Sequence, residues 1–287
     1  MRSRRFLRAL LMGALAMLAV ILAVAWLRPA PAPEQTPADF NPARFVRERS
    51  DLDVPYVVTD YEVVDAMLAL AEVRPDDDVI DLGSGDGRIL IAAARSHGAR
   101  GLGVDIDPAR IRESNDNARA AGVTGRVEFR RQDLFETPLG DADVLTLYLS
   151  NEINRQLRPR ILAEMQPGAR VVSHDFDMGD WRADQRQMVG TATVYLWIVP
   201  ARIGGAWRVA AHGRTATLDI DQTFQTFGGT ATAGEAGARI EHGRIEGDRI
   251  RFATDLGDGR QTYQGRFTGD AIVSVGDGPA WRATRPD

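Results

Sequence analysis

The chain has no cysteine and no lysine. Without cysteine there are no disulfides, no thiolate zinc sites and no sulfur nucleophile, and the redox compartment is left undetermined. Without lysine, all 35 basic residues are arginine. That excludes a Walker-type phosphate loop, which must close on Gly-Lys-Ser/Thr. Aromatic residues make up only 7% of the chain, and the formal net charge is a mild −5 over 287 residues. No broad basic field exists to hold a polyanion, so no nucleic-acid partner is expected. His212 and His242 stand alone, with nothing nearby to complete a ligand set, and no metal site is expected.

What is present begins with one long apolar run. After Arg2, Arg4, Arg5 and Arg8, the stretch Ala9 to Leu27 is apolar throughout. Nineteen such residues are long enough to cross the hydrocarbon core as a helix. Residues 1–28 therefore read as a single-pass membrane anchor. Ala23-Val24-Ala25 offers the alternative of a cleaved signal peptide and an exported protein. The proline-rich residues 29–50 read as an extended linker. Arginines flank the run on both sides, so its sidedness stays open.

Residues 51–200 alternate helical and strand patterns, which predicts an α/β domain with a doubly wound, mostly parallel sheet. "EVVDAMLALAEV" carries apolar residues at helical spacing, and Thr59 with Glu62 has the spacing of a capping box. "DVIDLG", "RGLGVDID", "RVEFRRQD", "ADVLTLYLS" and "ARVVSHDF" read as strands. "TATVYLWIVP" reads as a further strand, antiparallel at the sheet edge.

Between the first strand and its helix lies "VIDLGSGDGR", residues 79–88. Glycines at 83, 85 and 87 let the backbone turn tightly and approach a ligand closely. In open α/β sheets ligands bind at the carboxyl ends of the strands, where this loop falls. A dinucleotide loop needs G-x-G-x-x-G, but counting from Gly83 the last position is Arg88, and from Gly85 it is Leu90. The pattern that fits is acid-x-Gly-x-Gly-x-Gly, with a second acid, Asp105, ending strand two and a third, Asp133, following strand three.

In that order and register, these residues resemble the class I S-adenosylmethionine-dependent methyltransferases. The resemblance implies a Rossmann-like fold and S-adenosyl-L-methionine as cofactor. It places Asp81, Gly83, Ser84, Gly85 and Gly87 under the amino-acid and ribose part, Asp105 and Ile106 at the ribose, and Asp133 and Leu134 at the adenine. Tyr56 and Thr59, in the entry segment, join the cofactor side. The loop, preceded by "VPYVVTD" and followed by "SHDFDMGDW", is similar to the lysine methyltransferases of the adenine nucleotide translocase and the ATP synthase c subunit. Val58 departs from that group, which usually has proline there.

A protein lysine, with membrane proteins among the candidate substrates, is the acceptor this resemblance implies. A lysine must be neutral to react, and its ordinary pKa of roughly 10.4 calls for desolvation or a base. His174 and Asp175, ending strand five, are the candidate bases; Tyr148, Phe176 and Trp181 are the candidate aromatic walls for a cation. Two alternatives stay open: transfer to a small or lipophilic molecule, and an exported, non-catalytic binding protein on a degenerate fold. After strand four the chain reads "YLSNEIN" rather than the Asn/Asp-Pro-Pro-aromatic of many base methyltransferases.

From residue 201 helical periodicity stops. Seven segments alternate apolar and polar residues between Gly and Asp turns, and "GRIEGDRI" is echoed 22 residues later by "GRFTGDAI". Residues 201–287 read as an all-β meander closing into a small barrel or sandwich.

Overall fold

The computed structural model describes residues 57–286 apart from His212, Asp277 and Pro279. The expected anchor over 1–28, the linker over 29–50 and Tyr56 lie outside the described residues. Among the described residues, no helix is long and apolar enough to cross a membrane.

The first half forms a seven-stranded sheet. Its strands are β1 (Asp78–Leu82), β2 (Arg100–Asp105), β3 (Val127–Arg131), β4 (Val144–Leu147), β5 (Arg170–His174), β6 (Gln185–Val189) and β7 (Ala192–Ile198). They lie in the order β3-β2-β1-β4-β5-β7-β6. Strands β1 to β5 pair in parallel, and β7 runs antiparallel to both β5 and β6. Because the order reverses between β1 and β4, the loops leaving their carboxyl ends part there and open a crevice.

The expected position of the "TATVYLWIVP" strand is corrected. It is antiparallel but internal, with β6 outside it. β6 escapes sequence reading because "QRQMV" is exposed almost throughout and shows no apolar alternation, whereas β7 is largely buried as an inner strand should be.

The helices are placed by local signals. α1 (Tyr61–Leu70) buries the stripe Val63, Val64, Met67 and Leu68. α2 (Arg88–Ala92) starts directly from Gly87 and runs on through a π turn, Ala93–His97, to Gly98 in the left-handed region. α3 (Pro108–Ala121) has proline in its first turn, the Asp107 carboxylate accepting from the Ala109 amide at 2.7 Å, and Gly122 past its end. α4 (Asn151–Glu164) is capped by Ser150, whose hydroxyl accepts from the Ile153 amide. The capping box expected at α1 does not form. Asp60 is the N-cap residue, makes no side-chain cap bond, and Thr59 turns inward instead.

The two faces of the sheet carry separate cores. Val79, Leu90 and Phe129 belong to one; Leu82, Leu147 and Trp197 belong to the other.

The C-terminal half is a closed eight-stranded barrel, β8 (Gly205–Ala211) to β15 (Trp281–Thr284). Each strand is antiparallel to the next, and β15 closes onto β8. The sequence pattern left barrel or sandwich open, and the β15–β8 ladder decides it. Trp207, Leu218, Phe252, Tyr263 and Trp281 fill the interior. The echoed segments are the β11 (Ala236–Glu246) to β12 (Arg249–Asp255) hairpin and the β13 (Arg260–Phe267) to β14 (Ala271–Ser274) hairpin.

One strand was invisible to periodicity. β10 (Thr226–Ala233), "TFGGTATA", has small residues where the others have bulky ones. The reason is steric. A Cβ at Gly229 would lie 1.9 Å from the Asp219 carbonyl oxygen, and its φ of +124° suits glycine alone. Gly229→Ala is expected to destabilise the barrel by about 3 kcal/mol or more, from backbone displacement plus strain. Denaturant unfolding followed by tryptophan emission checks this; an unchanged barrel transition would contradict it.

Candidate active site

The glycine loop is built by three left-handed glycines, with φ of +79° at Gly83, +53° at Gly85 and +81° at Gly87. A Cβ at Gly87 would meet Phe129 Cζ at 2.5 Å, and one at Gly83 would meet Leu149 Cδ2 at 2.8 Å. The loop therefore lies against the sheet as closely as backbone allows. The Ser84 hydroxyl is buried and has no partner among the described residues. Its Cβ lies where a Cβ on Gly103 of β2 would collide with it. The Ser84 Cβ thus packs against β2 beneath the loop.

Asp105, ending β2, ties the loop down. One carboxylate oxygen accepts from the Gly85 amide at 3.0 Å and the other from the Asp107 amide at 2.8 Å. Burial raises its pKa, against the pull of these two bonds. A carboxylate offers about four lone-pair positions, so room for ligand hydroxyls remains. Next to it Ile106 is 54% exposed, an apolar surface at the mouth of the crevice. Past β3, the Asp133 carboxylate accepts from the Phe135 amide at 2.8 Å and caps a short 3-10 turn, Leu134–Glu136. Leu134 in that turn is partly buried.

Asp81 has a different environment. It is fully enclosed in β1, and the Thr146 hydroxyl of β4 donates to it at 2.6 Å. Burial, opposed by the Thr146 bond and reinforced by Asp105 and Asp86, pushes its pKa up to about 7. Two groups not singled out in the sequence complete the loop. Arg88 makes a bidentate pair with Asp86 and donates to the Thr59 carbonyl at 2.7 Å, fastening α1 to the loop. Asp86 and Arg88 sit inside the quoted motif, and their i, i+2 opposite charges were the available signal.

On the other side of the crevice, the carboxyl ends of β4 and β5 bring Tyr148 and His174 together. Their rings stack with centroids 3.8 Å apart, and Phe176 lies 6.0 Å beyond Tyr148. The Thr59 hydroxyl lies 3.1 Å from His174 Nδ1, and His174 Nε2 is 3.4 Å from the Asp175 carboxylate. Burial lowers the His174 pKa, while Asp175 and Asp60 push it back up. Burial also raises that of Tyr148, helped by the same two acids. Asp175 has a φ of +59°, rare for a residue with a side chain, and its carboxylate accepts from the Thr193 amide at 2.7 Å.

Thr59 therefore touches both sides, the glycine loop through its carbonyl and the histidine cluster through its hydroxyl. Trp181 is corrected outright. Its indole is fully buried, donates to Gln225 of the barrel at 3.0 Å and packs on Phe224 and Trp197. An aromatic enclosed by its own core has no free face for a substrate. Asp60, unremarked in the sequence beyond its place beside Thr59, joins Asp175 in facing the cluster.

The left-handed loop, the strand-end carboxylate with spare acceptor capacity and the exposed apolar neighbour fit a nucleoside with a polar tail. Asp105→Ala is expected to weaken S-adenosylhomocysteine binding at least about tenfold, since hydrogen bonds to a charged group are the stronger kind; calorimetry showing unchanged affinity would place the site elsewhere. Asp81 also predicts a pH effect. The folded chain holds its proton up to about 7 while the ordinary value is 3.8, so its ionisation costs stability progressively as pH rises through that window. Asp81→Asn should therefore raise Tm relative to the parent at pH 8 and leave it little changed at pH 4; equal shifts at both would refute the assignment.

A family model described as the ANTKMT methyltransferase domain matches residues 81–185. A protein-lysine N-methyltransferase from Saccharolobus islandicus is 41% identical over 151 residues, which are 51% of this chain and 94% of that protein. The adenine nucleotide translocase lysine N-methyltransferase of Mus musculus is 33% identical, over 51% of this chain and 62% of its own length. An RNA methyltransferase from Salinibacter ruber, solved with S-adenosyl-L-homocysteine, is 51% identical over 51% of this chain and 96% of its own, with a TM-score of 0.51. The strand order, the loop and these matches agree: the chain is an S-adenosylmethionine-dependent methyltransferase and belongs to the family of the Saccharolobus protein-lysine N-methyltransferase, with a central stretch similar to the adenine nucleotide translocase enzymes.

Proposed function

We propose that the enzyme methylates lysine side chains of a protein, and that the cluster of Tyr148, His174 and Asp175 with Asp60 is its acceptor side. The observation that carries this reading is a stacked, enclosed pair of rings with carboxylates facing it from both α1 and β5. Acids beside aromatic faces attract an ammonium group. The names of the archaeal and murine relatives support lysine as the acceptor.

S-adenosylmethionine, when bound, supplies a methyl group activated on a sulfonium. Gly83, Gly85, Asp105, Ile106 and Asp133 would hold it. The chain's remaining task is to present a neutral amine in line and dry. Asp60 and Asp175 draw the charged lysine in. His174, with its pKa lowered by burial, is neutral near pH 7 and can accept the proton the amine gives up. With the cofactor bound, the neutral amine would take its methyl group as the carbon–sulfur bond broke, and the chain's part is to hold the amine in line and keep water out. Thr59, at Nδ1, orients the ring so that Nε2 is on the Asp175 side.

RNA is the competing acceptor, because the Salinibacter relative bears that name. The exposed acids Asp60, Asp175, Asp177 and Asp180 around this side oppose a polyphosphate. A membrane protein as acceptor would follow from the apolar run Ala9 to Leu27, which would hold the enzyme at a bilayer.

Labelling fractionated extracts with tritiated-methyl S-adenosylmethionine tests the reading. The label is expected in protein and released as methyl-lysine on acid hydrolysis; label confined to RNA or to the organic phase would overturn it. With the labelled protein as substrate, His174→Asn should cut turnover about 10²-fold or more, the usual range for a positioned base, and unchanged kcat would remove His174 from the mechanism.

A further inference from the structure

Methyl transfer by itself does not call for a barrel. The archaeal relative, matched over 94% of its length by half of this chain, has no room for one. What the barrel touches is therefore informative. Past His174 the chain runs through residues 175–184 along the seam between sheet and barrel, and this stretch is pinned from both sides.

α4 holds its first half. Asn154 Nδ2 donates to the Phe176 carbonyl at 3.0 Å, Asn151 Oδ1 accepts from the Asp177 amide at 2.9 Å, and Arg158 donates to the Met178 carbonyl at 2.7 Å. The second half is held by β7, where Trp197 Nε1 donates to the Trp181 carbonyl at 2.7 Å and the Asp184 amide donates to the Leu196 carbonyl at 2.8 Å, and by the barrel through one hydrogen-bonding side chain. Gln225 lies in the turn between β9 (Arg214–Thr223) and β10. Its Oε1 accepts from the Trp181 indole at 3.0 Å, and its Nε2 donates to the Arg182 carbonyl and the Asp184 carboxylate, both at 3.0 Å. All three bonds leave the barrel. Gln225 is only 8% exposed, and its own carbonyl is anchored by the Ile245 amide. Phe224 beside it packs on Trp181.

A buried amide bonded only to another domain's segment stiffens that segment, because each bond lost would leave an enclosed polar group unpaired. The stretch needs stiffening. It starts at Asp175, whose left-handed backbone persists only if its surroundings hold it. It also carries Phe176, the outer ring of the stack.

We propose that the β9–β10 turn braces the acceptor side of the active site, with Gln225 as a positioning residue that holds 175–184 and thereby keeps Asp175 and Phe176 in place and His174 enclosed. The cofactor loop, fastened by Asp105 and Arg88, does not depend on it. This rests on Tyr148, His174 and Asp175 being the acceptor side.

The test uses the full chain and needs no identified acceptor. Gln225→Ala is expected to raise amide exchange across 177–184 about tenfold, the equivalent of one lost buried bond. The His174 titration, followed by imidazole NMR, should move upward as water reaches the ring. S-adenosylhomocysteine affinity should stay within about twofold, as for uncoupled sites. Ile272→Ala, buried in β14, is the control that loosens the barrel without removing any of the three Gln225 bonds. Unchanged exchange across 177–184 in Gln225→Ala, or an equal rise in Ile272→Ala, would overturn the brace. If Gln225→Ala does not fold, Gln225→Met keeps the volume, removes all three bonds and carries the same expectations. Should the labelling experiment exclude lysine, these readouts stand or fall independently of it.

Discussion

Two backbone amides converge on one carboxylate. Gly85 brings its amide from the loop after β1, Asp107 brings its own from the turn into α3, and Asp105 receives both. That arrangement couples the shape of the glycine loop to the end of the neighbouring strand. It also determines which residues can be used. The loop must have left-handed positions to turn its amide inward, and strand two must end on an acid. The crevice at the β1/β4 switch point is then lined by backbone on one wall and by a carboxylate on the other. Without that tie, three glycines in succession would be among the most mobile parts of the chain.

The same geometry has an electrostatic cost. Asp81, Asp86 and Asp105 crowd around one loop, and only Asp86 has a bidentate arginine partner on the loop itself. Asp105 is relieved by amides. Asp81, enclosed, is relieved by a single hydroxyl and holds its proton toward neutral pH. The acceptor side repeats the device at the surface. Asp60 and Asp175 face a buried imidazole, and the acids and burial act on its proton in opposite directions.

How much of this was legible in the sequence follows from how local each part is. The cofactor side lies between residues 81 and 107, where strand, loop, helix and strand follow in order, and spacing alone picks out Asp81, the glycines and Asp105. Ser84 shows the limit: its place in the motif says nothing of the burial that leaves its hydroxyl without a partner among the described residues. Strands β6 and β10 were missed because one is polar at an exposed edge and the other is built of small residues that let neighbouring backbone approach. The cap expected at Thr59 fails although its capping-box spacing is genuine, because a buried bond to His174, 115 residues away, outcompetes it. Trp181 was misread for a similar reason. An aromatic after a catalytic strand looks like a substrate wall until a second domain is known to cover it.

The proposed acceptor side is non-local throughout, its groups coming from the residues just before α1 and from the ends of β4 and β5. This division bears on how one sheet serves different reactions. Proteins matching this half of the chain carry the names of different acceptors, a protein lysine in one case and RNA in another. What they can share is the short run that holds the nucleoside, where backbone does most of the work. What can vary is whatever stands against the ends of β4 and β5. In this chain the segment that leaves β5 there, residues 175–184, runs back toward the amino end of that strand, where it meets the barrel. The barrel's nearest side chains reach the seam through Trp181, Arg182 and Asp184, a few residues beyond His174, and not through the cofactor loop. Under the proposed brace, a domain added at the far end of that segment would act on the acceptor side through the segment alone, while the cofactor loop, tied by Asp105 and Arg88, would be left as it is.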